Sequence, residues 1–381
     1  MNISSSGLPK PFLSLCMIVK NESENLLRCL ASAKPYVDEI IVVDTGSEDE
    51  TPDIARRYGA KVLFFEWCND FAAARNYSIS QATGHWILVL DADEELVVES
   101  ENFFEKINLN TEVIAYSLEL NDINDLSPKT PSYLIRLFRN LPDILYVNRF
   151  HEQLRYQSSN LNCKQYESLE GVKILHYGYF KEKAKQKTLN RNIPILEQMR
   201  QNERLSFMHL YCLAKMYTEN QQIDKARECY NEAFNRLLPN LIEGAIPEDF
   251  SWIPSLLYAL GMNFFEQNDY ETARLVCQRG LEWCPTFPPL SYLAGVILSN
   301  LGFPLGAAVY FENCLQLGKE GSYYKGEHFD LLFTTTHPAY NLGLMYLKLK
   351  QPKEALAAFE LSLSLNSNFT LAQEQINTLK G

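Results

Sequence analysis

Between Leu13 and Leu96, short and nearly continuous apolar runs alternate with segments whose apolar residues recur every three or four positions. The runs are LSLCMIV, DEIIVVD, AKVLFFEW and WILVLD, and the segments between them are ESENLLRCLASA, DETPDIARRYG and DFAAARNYSISQA. A strand without polar alternation is covered on both faces, so this pattern predicts a parallel sheet with helices on either side. After Glu101 the runs VIAYSLEL, SYLIRLFRN, ILYVNRFHEQL and VKILHYGYF are separate and closer to alternation. They predict an antiparallel extension whose polar side chains face a cleft, with Asn, Asp and Pro marking the turns.

From about Leu205 the strands stop and a helical repeat begins. A 34-residue helix-turn-helix template fits four times when its small position is set at Ala214, Gly261, Gly295 and Gly343. With Ala214, the large, aromatic and small positions are filled by Leu210, Leu213, Tyr217, Ala226, Tyr230 and Ala233. With Gly343, Leu342, Tyr346, Ala355 and Phe359 take them. Gly261 and Gly295 are 34 residues apart, while the flanking gaps of 47 and 48 predict insertions around PNLIEGAIPEDF and KEGSYYKGEHFD. Small residues let the two helices of a repeat approach, and aromatics fill the space between repeats. The organisation read from the pattern is an α/β domain over 10–190, a connecting helix or linker over 191–204 and about four repeats over 205–381.

A chain of 381 residues, 46% of them hydrophobic, is long enough for two cores. The net charge of −12 argues against a nucleic-acid binder, which needs clustered Lys and Arg to displace counterions. The nine cysteines (Cys16, Cys29, Cys68, Cys163, Cys212, Cys229, Cys277, Cys284 and Cys314) contain no CxxC or CxxH pair, and they read as small buried side chains in a reducing compartment. No run approaches the roughly 18 apolar residues of a membrane span, and the N-terminal run lacks a cleavage pattern. The expectation is a cytoplasmic protein, with membrane-surface association left open.

In open α/β sheets, ligands bind beyond the carboxyl ends of the strands. Here those ends carry Asn21 and Glu22, Asp44 in DTGS, and Asp91 and Asp93 in DADEEL. DADEEL has two readings. Asp is a preferred helix N-cap, and carboxylates in a first turn favour the helix dipole. Alternatively, two carboxylates at i and i+2 of an extended chain lie on one side and suit Mg2+ or Mn2+ bridging a diphosphate.

Taken together, LSLCMIVKNESENLLRCL, VDEIIVVDTGSEDETPDIARRYGAKV, WCNDFAAARN and WILVLDADEEL resemble the family-2 nucleotide-sugar glycosyltransferases of GT-A fold. The likeness is greatest to the bacterial branch that contains the peptide S-glycosyltransferases and lipopolysaccharide-core glucosyltransferases. It implies an α/β GT-A domain, Rossmann-like with a mostly parallel sheet and an antiparallel extension, ahead of an all-α tetratricopeptide-repeat domain. It implies nucleoside contacts from Glu22 and Asp44. Asp91 would be the first Asp of a DxD motif, near ribose or metal, and Asp93 the main metal ligand. Arg75 and Asn76 would face the donor, where a planar guanidinium suits a diphosphate, although a helix-surface salt bridge from Arg75 to Asp70 is the plainer reading. In the HE of RLFRNLPDILYVNRFHEQL, Glu152 is the candidate general base, with His151 as an alternative acceptor or positioning group and Asp122 as the second-choice base. His176, in ILHYGYF, would complete the metal site or be structural.

The function implied is a metal-dependent, inverting transfer of a sugar from a nucleotide donor, a UDP-sugar first, to a hydroxyl or thiol on a peptide, protein or glycan acceptor. Mn2+ or Mg2+ is the expected cofactor. The competing readings are a repeat scaffold carrying a degenerate transferase domain, and a nucleotidyltransferase or pyrophosphatase using the same carboxylates. The repeats themselves read either as a concave peptide-binding surface or as the interface of a homodimer.

Overall fold

A computed structural model describes residues 12–380 apart from 101, 110–111, 125–128, 162–164, 179–180 and 251. The chain divides into two compact units, Met1–Leu126 with Pro131–Gln198, and Ser127–Thr130 with Met199–Gly381.

The first unit opens with β1 (Leu13–Val19), α1 (Leu26–Ala33), β2 (Glu39–Asp44), α2 (Thr51–Arg57), β3 (Lys61–Phe64), α3 (Phe71–Ser80) and β4 (Trp86–Val89). It continues through β5 (Glu94–Val98), α4 (Phe103–Leu109), β6 (Ala115–Asp122), β7 (Ser132–Arg139), β8 (Ile144–Val147), β9 (Gln153–Tyr156), β10 (Ser159–Asn160), β11 (Tyr166–His176), α5 (Lys181–Lys187) and the start of α6 (Ile193–Asn202). Eight strands form one sheet in the order β3-β2-β1-β4-β7-β6-β11-β5, and β10-β9-β8 form a small second sheet.

The β3-β2-β1-β4 half is parallel, as continuous apolar runs require when both faces are covered. Alternate side chains of each strand enter different cores. Leu15, Met17, Val42 and Leu88 pack with Leu26, Cys29, Leu30 and Ala33 of α1, whose spacing places them on one helical stripe. Cys16, Ile41, Val43 and Val89 pack on the other face with Ala72 and Ile79 of α3. At about 1.5–3 kcal/mol for each fully buried aliphatic side chain, this double layer holds the strand ends in register. The one polar side chain inside β1, Ser14, is satisfied: its hydroxyl donates to Glu39 Oε2 (2.5 Å) and accepts from the Gly84 N–H (2.9 Å).

The remaining strands depart from a simple antiparallel extension. β7 runs antiparallel to β4 and to β6, but β11 runs parallel to β6 and antiparallel to β5. The excursion through β7 to β10 carries the chain back to start β11 at the same end as β6. DADEEL leads into a strand: Asp91 and Asp93 sit in the β4–β5 turn, and the next helix begins only at Phe103. The helix-cap reading of these aspartates is therefore corrected, because Glu94–Val98 finds its partner in β11, far along the chain.

The second unit contains α7 (Phe207–Glu219), α8 (Ile223–Glu243), α9 (Ile253–Glu266), α10 (Tyr270–Trp283), α11 (Pro288–Asn300), α12 (Pro304–Glu320), α13 (Thr336–Lys348), α14 (Pro352–Leu365) and α15 (Thr370–Lys380). The small template positions lie at close helix approaches. A Cβ on Gly295 would stand 2.7 Å from the Phe311 ring, and one on Gly343 would stand 2.5 Å from the Phe359 ring. The first insertion lengthens the end of α8, which runs to Glu243, and continues toward α9, while the second lies mostly between α12 and α13. Eight cysteines carry free thiols, seven of them buried, while Cys163 lies outside the described residues. Among the described residues, no helix is long and apolar enough to cross a membrane.

Candidate active site

β1 and β2 end level with one another, Val19 opposite Asp44, so Glu22 and Asp44 emerge on the same edge of the sheet. Asn21 turns the chain out of β1 with a positive φ of 55°, a conformation Asn tolerates. Its Oδ1 accepts the Glu48 N–H (2.7 Å). Asp44 Oδ1 accepts from the N–H groups of Gly46 (2.6 Å) and Ser47 (2.7 Å), while Oδ2 is buried with no hydrogen-bond partner. A buried carboxylate oxygen left this way costs free energy until a donor reaches it. Glu22 is buried, accepts from Asn25 Nδ2 (3.2 Å) and pairs with Lys187 Nζ (3.1 Å) at the end of α5. Burial lowers the pKa of this ammonium, an effect Glu22 opposes.

The centre of the edge is a charge network. Arg75, on the buried face of α3, donates from Nε to Glu152 Oε1 (2.6 Å) and from Nη2 to Asp91 Oδ1 (2.7 Å), and its Nη1 is buried without a partner. Arg136 of β7 donates to Asp91 Oδ2 (2.9 Å) and Glu94 Oε1 (2.5 Å). Burial would raise the Asp91 pKa, but the two guanidinia override it and hold the carboxyl well below the usual range. Glu94, 2% exposed, goes the other way: burial pushes it up to about 7, against Arg136 and with the help of Asp91. Tyr146 lies beside this network, its ring centroid 5.7 Å from the Arg75 guanidinium carbon and its buried hydroxyl unpartnered; burial pushes it up to about 12.

Beyond β4 and β11, Asp93 Oδ2 stands 3.5 Å from His176 Nε2, and Asp122 Oδ1 is 2.5 Å from His176 Nδ1. β11 pairing brings these about, since His176 lies opposite both Asp122 of β6 and Glu94 of β5. Burial opposes charge on the imidazole, but the two carboxylates win and raise its pKa to about 10. A carboxylate behind one ring nitrogen, with the other turned to a second carboxylate, is how proteins orient a metal-binding histidine. Among the described residues no group of three or more His, Cys, Asp and Glu side chains is arranged to hold a metal ion. Asp93 and His176 could supply two donors, a number that suits a hard cation whose other ligands are substrate phosphates and water.

Arg75 does not bridge to Asp70: Asp70 caps α3 by accepting the Ala73 N–H (2.9 Å) and lies 3.9 Å from Arg149. Nor is the Asn76 amide turned to the network, as the donor-facing expectation required. Both its ends are spent on the Tyr146 backbone, donating to its carbonyl (2.8 Å) and accepting from its N–H (2.9 Å), which ties α3 to β8. His151 is exposed, has a φ of 51° and meets the Phe150 ring edge-on. Neither periodicity nor motif marks Arg136, Tyr146 or Lys187 as site residues, and Glu94 enters only as part of DADEEL. Arg136 carried one faint signal, a charge in an otherwise apolar strand; Lys187 in KEKAKQK carried none.

The first unit is a mixed α/β sheet of GT-A type with Glu22, Asp44, Asp91 and Asp93 at or beyond the strand ends of its parallel half, and the family comparison assigns it to a transferase class. Residues 14–156 match the family described as Glycosyl transferase family 2, and residues 337–369 match the Tetratricopeptide repeat. The chain thus carries a family 2 glycosyltransferase domain over residues 14–156 and a tetratricopeptide repeat over residues 337–369. It is 45% identical over 181 residues to a TPR repeat-containing protein of Synechococcus elongatus, covering 46% of this chain and 44% of that protein. It is 31% identical over 198 residues to the SPbeta prophage-derived glycosyltransferase SunS of Bacillus subtilis, covering 50% and 45%. An uncharacterized glycosyltransferase of Rickettsia felis is 36% identical over 122 residues, covering 31% and 43%. The chain therefore spans less than half the length of each of these curated relatives.

Proposed function

We propose that this protein transfers a sugar, with inversion, from a nucleoside diphosphate donor to a hydroxyl or thiol acceptor, and that UDP is its nucleotide. The observation that carries the reading is the Asp122–His176–Asp93 array, and Asp44, at the end of β2, adds a buried Oδ2 that a donor such as the N–H of a pyrimidine ring would satisfy. Glu22 and Asp44 would hold the nucleoside. Asp93 and His176 would hold Mn2+ or Mg2+, and a divalent cation there would offset charge developing on the departing diphosphate.

Asp91 is then a group that its two arginines hold as an anion and in place. Arg75 also orients Glu152, which is the base in this reading. Glu152 takes the acceptor proton as the acceptor oxygen or sulfur forms its bond to the anomeric carbon. The bond from that carbon to the diphosphate breaks on the opposite side, and its electron pair leaves with the β-phosphate oxygen. The free, mostly buried thiols are what supports a reducing, cytoplasmic setting. The repeats would present a peptide or protein acceptor, with a homodimer as the competing role, and light scattering separates the two.

The test is calorimetric titration of the full chain with UDP, GDP and TDP, with and without Mn2+, repeated on Asp93→Ala. Mn2+-dependent binding of UDP, lost in the variant, is the expected result. UDP binding that ignores both Mn2+ and the substitution would remove the metal assignment. Glu152→Gln should keep donor binding while transfer slows.

A further inference from the structure

We propose that Lys187, followed one turn later by Arg191, is the cationic grip on the donor diphosphate. This rests on the donor-site reading above and adds to it the groups that hold the phosphates. The first argument is one of charge. The two guanidinia at the strand ends already face carboxylates, Arg75 those of Asp91 and Glu152, and Arg136 those of Asp91 and Glu94, and each keeps one buried nitrogen without a partner. That network already holds three carboxylates against two arginines, and Glu22, Asp44, Asp93 and Asp122 add four more along the same edge. A diphosphate entering this edge meets an excess of negative charge, in a protein whose net charge is −12. A divalent cation at Asp93 and His176 would offset part of that charge, and a cation nearer Glu22 would offset more.

The second argument is place. Lys187 Nζ is 3.1 Å from Glu22 Oε1, and the ammonium also feels the charges of Asp93 and Arg191. It is therefore paired with the residue that follows the end of β1, and the charge of Asp93 in the β4–β5 turn is near enough to act on it. A diphosphate that joins a nucleoside at Glu22 and Asp44 to a metal at Asp93 has to cross the interval between them. An ammonium has three donors, so one lysine can serve Glu22 and a phosphate oxygen together.

The third argument is the local backbone. Lys187 is the last residue of α5, and Thr188–Asn192 form a π-helical turn that reopens the hydrogen-bond spacing before α6. Such turns are uncommon and cluster at functional positions. This one carries Arg191, whose guanidinium lies 5.1 Å from the Phe71 ring centroid and whose Nε donates to Asn192 Oδ1 (2.9 Å). Phe71 begins α3, the helix that presents Arg75 one turn further on. Burial disfavours the charge on Lys187, and a second anion beside it would relieve that cost.

The experiment uses the full chain with Mn2+ and three probes: UDP, pyrophosphate and uridine. Lys187→Met should weaken UDP and pyrophosphate about tenfold, the size of one lost charge-assisted hydrogen bond, and leave uridine unchanged. Lys187→Arg should restore most of the loss; because Glu22 is buried, Lys187→Met also lowers the melting temperature, so affinities are compared at a temperature where both proteins are folded. Equal weakening of uridine and UDP would overturn the proposal in favour of a pocket-shaping role, and so would unchanged UDP affinity in Lys187→Met. If the wild-type protein binds none of UDP, GDP and TDP, the donor-site reading falls and this inference falls with it.

Discussion

Replacing Arg136 by leucine removes the guanidinium that stands between Asp91 and Glu94. Its side chain is 11% exposed and that of Glu94 is 2% exposed, so the loss leaves a buried carboxylate without its counter-charge. Asp91 keeps Arg75, and Glu94 keeps only the Asp91 N–H on Oε2 (2.8 Å). Breaking a buried pair by removing one partner costs about 3–5 kcal/mol, a large share of the stability of an ordinary domain. The damage should be local to the sheet. Native-state hydrogen exchange should show the amides of β4 and β7 losing protection by that amount, while those of α9 to α14 are unchanged and act as an internal control. Lysine at 136 should lose less, since it keeps the charge but not the fork. The double variant Arg136→Leu with Glu94→Leu should recover most of the loss, because apolar groups replace both partners. A loss below about 1 kcal/mol in Arg136→Leu, or no recovery in the double variant, would refute the claim that this pair is buried and mutually dependent.

Gly343→Ala places a methyl group 2.5 Å from the Phe359 ring, and overpacking should destabilise the second unit by about 1–3 kcal/mol in urea denaturation, with Phe359→Leu in the same chain relieving part of it. Asn76→Ala removes both hydrogen bonds to the Tyr146 backbone and should cost about 1–3 kcal/mol in stability, while UDP affinity of the folded protein is unchanged; a selective loss of UDP affinity would return Asn76 to the donor. Glu327, 7% exposed, accepts the Ser255 N–H at the start of α9 (2.9 Å), and burial pushes its pKa up from 4.5 to about 7. The folded state therefore keeps this proton more tightly than the unfolded one, so the stabilisation is complete below about pH 4.5 and disappears as pH rises through 7. At about 1.4 kcal/mol per pH unit, that window amounts to about 3 kcal/mol. Thermal melts from pH 5 to 8 should show Glu327→Gln gaining on the wild type as pH rises, and parallel curves would dismiss the assignment.

Local periodicity alone determined the layered half of the first unit. LSLCMIV, EIIVVD and WILV have no polar face, so they have to be covered on both sides, and the stripe of Leu26, Cys29, Leu30 and Ala33 supplies one cover. It also determined the acidic strand ends and the small positions at Gly295 and Gly343, which are set by contacts within a single repeat. What the tertiary structure decided was the partnership of charges. Arg75, Asp91, Arg136 and Glu152 converge from α3, the β4–β5 turn, β7 and the segment before β9, and no spacing along the chain encodes that meeting. The same holds for β5, a strand only because β11 returns beside it, for Asn76, whose amide is claimed by β8, and for Lys187, which reaches Glu22 across 165 residues. Periodicity reports which face of an element is buried. It carries no information on which distant side chain arrives there, since that follows from strand order and register.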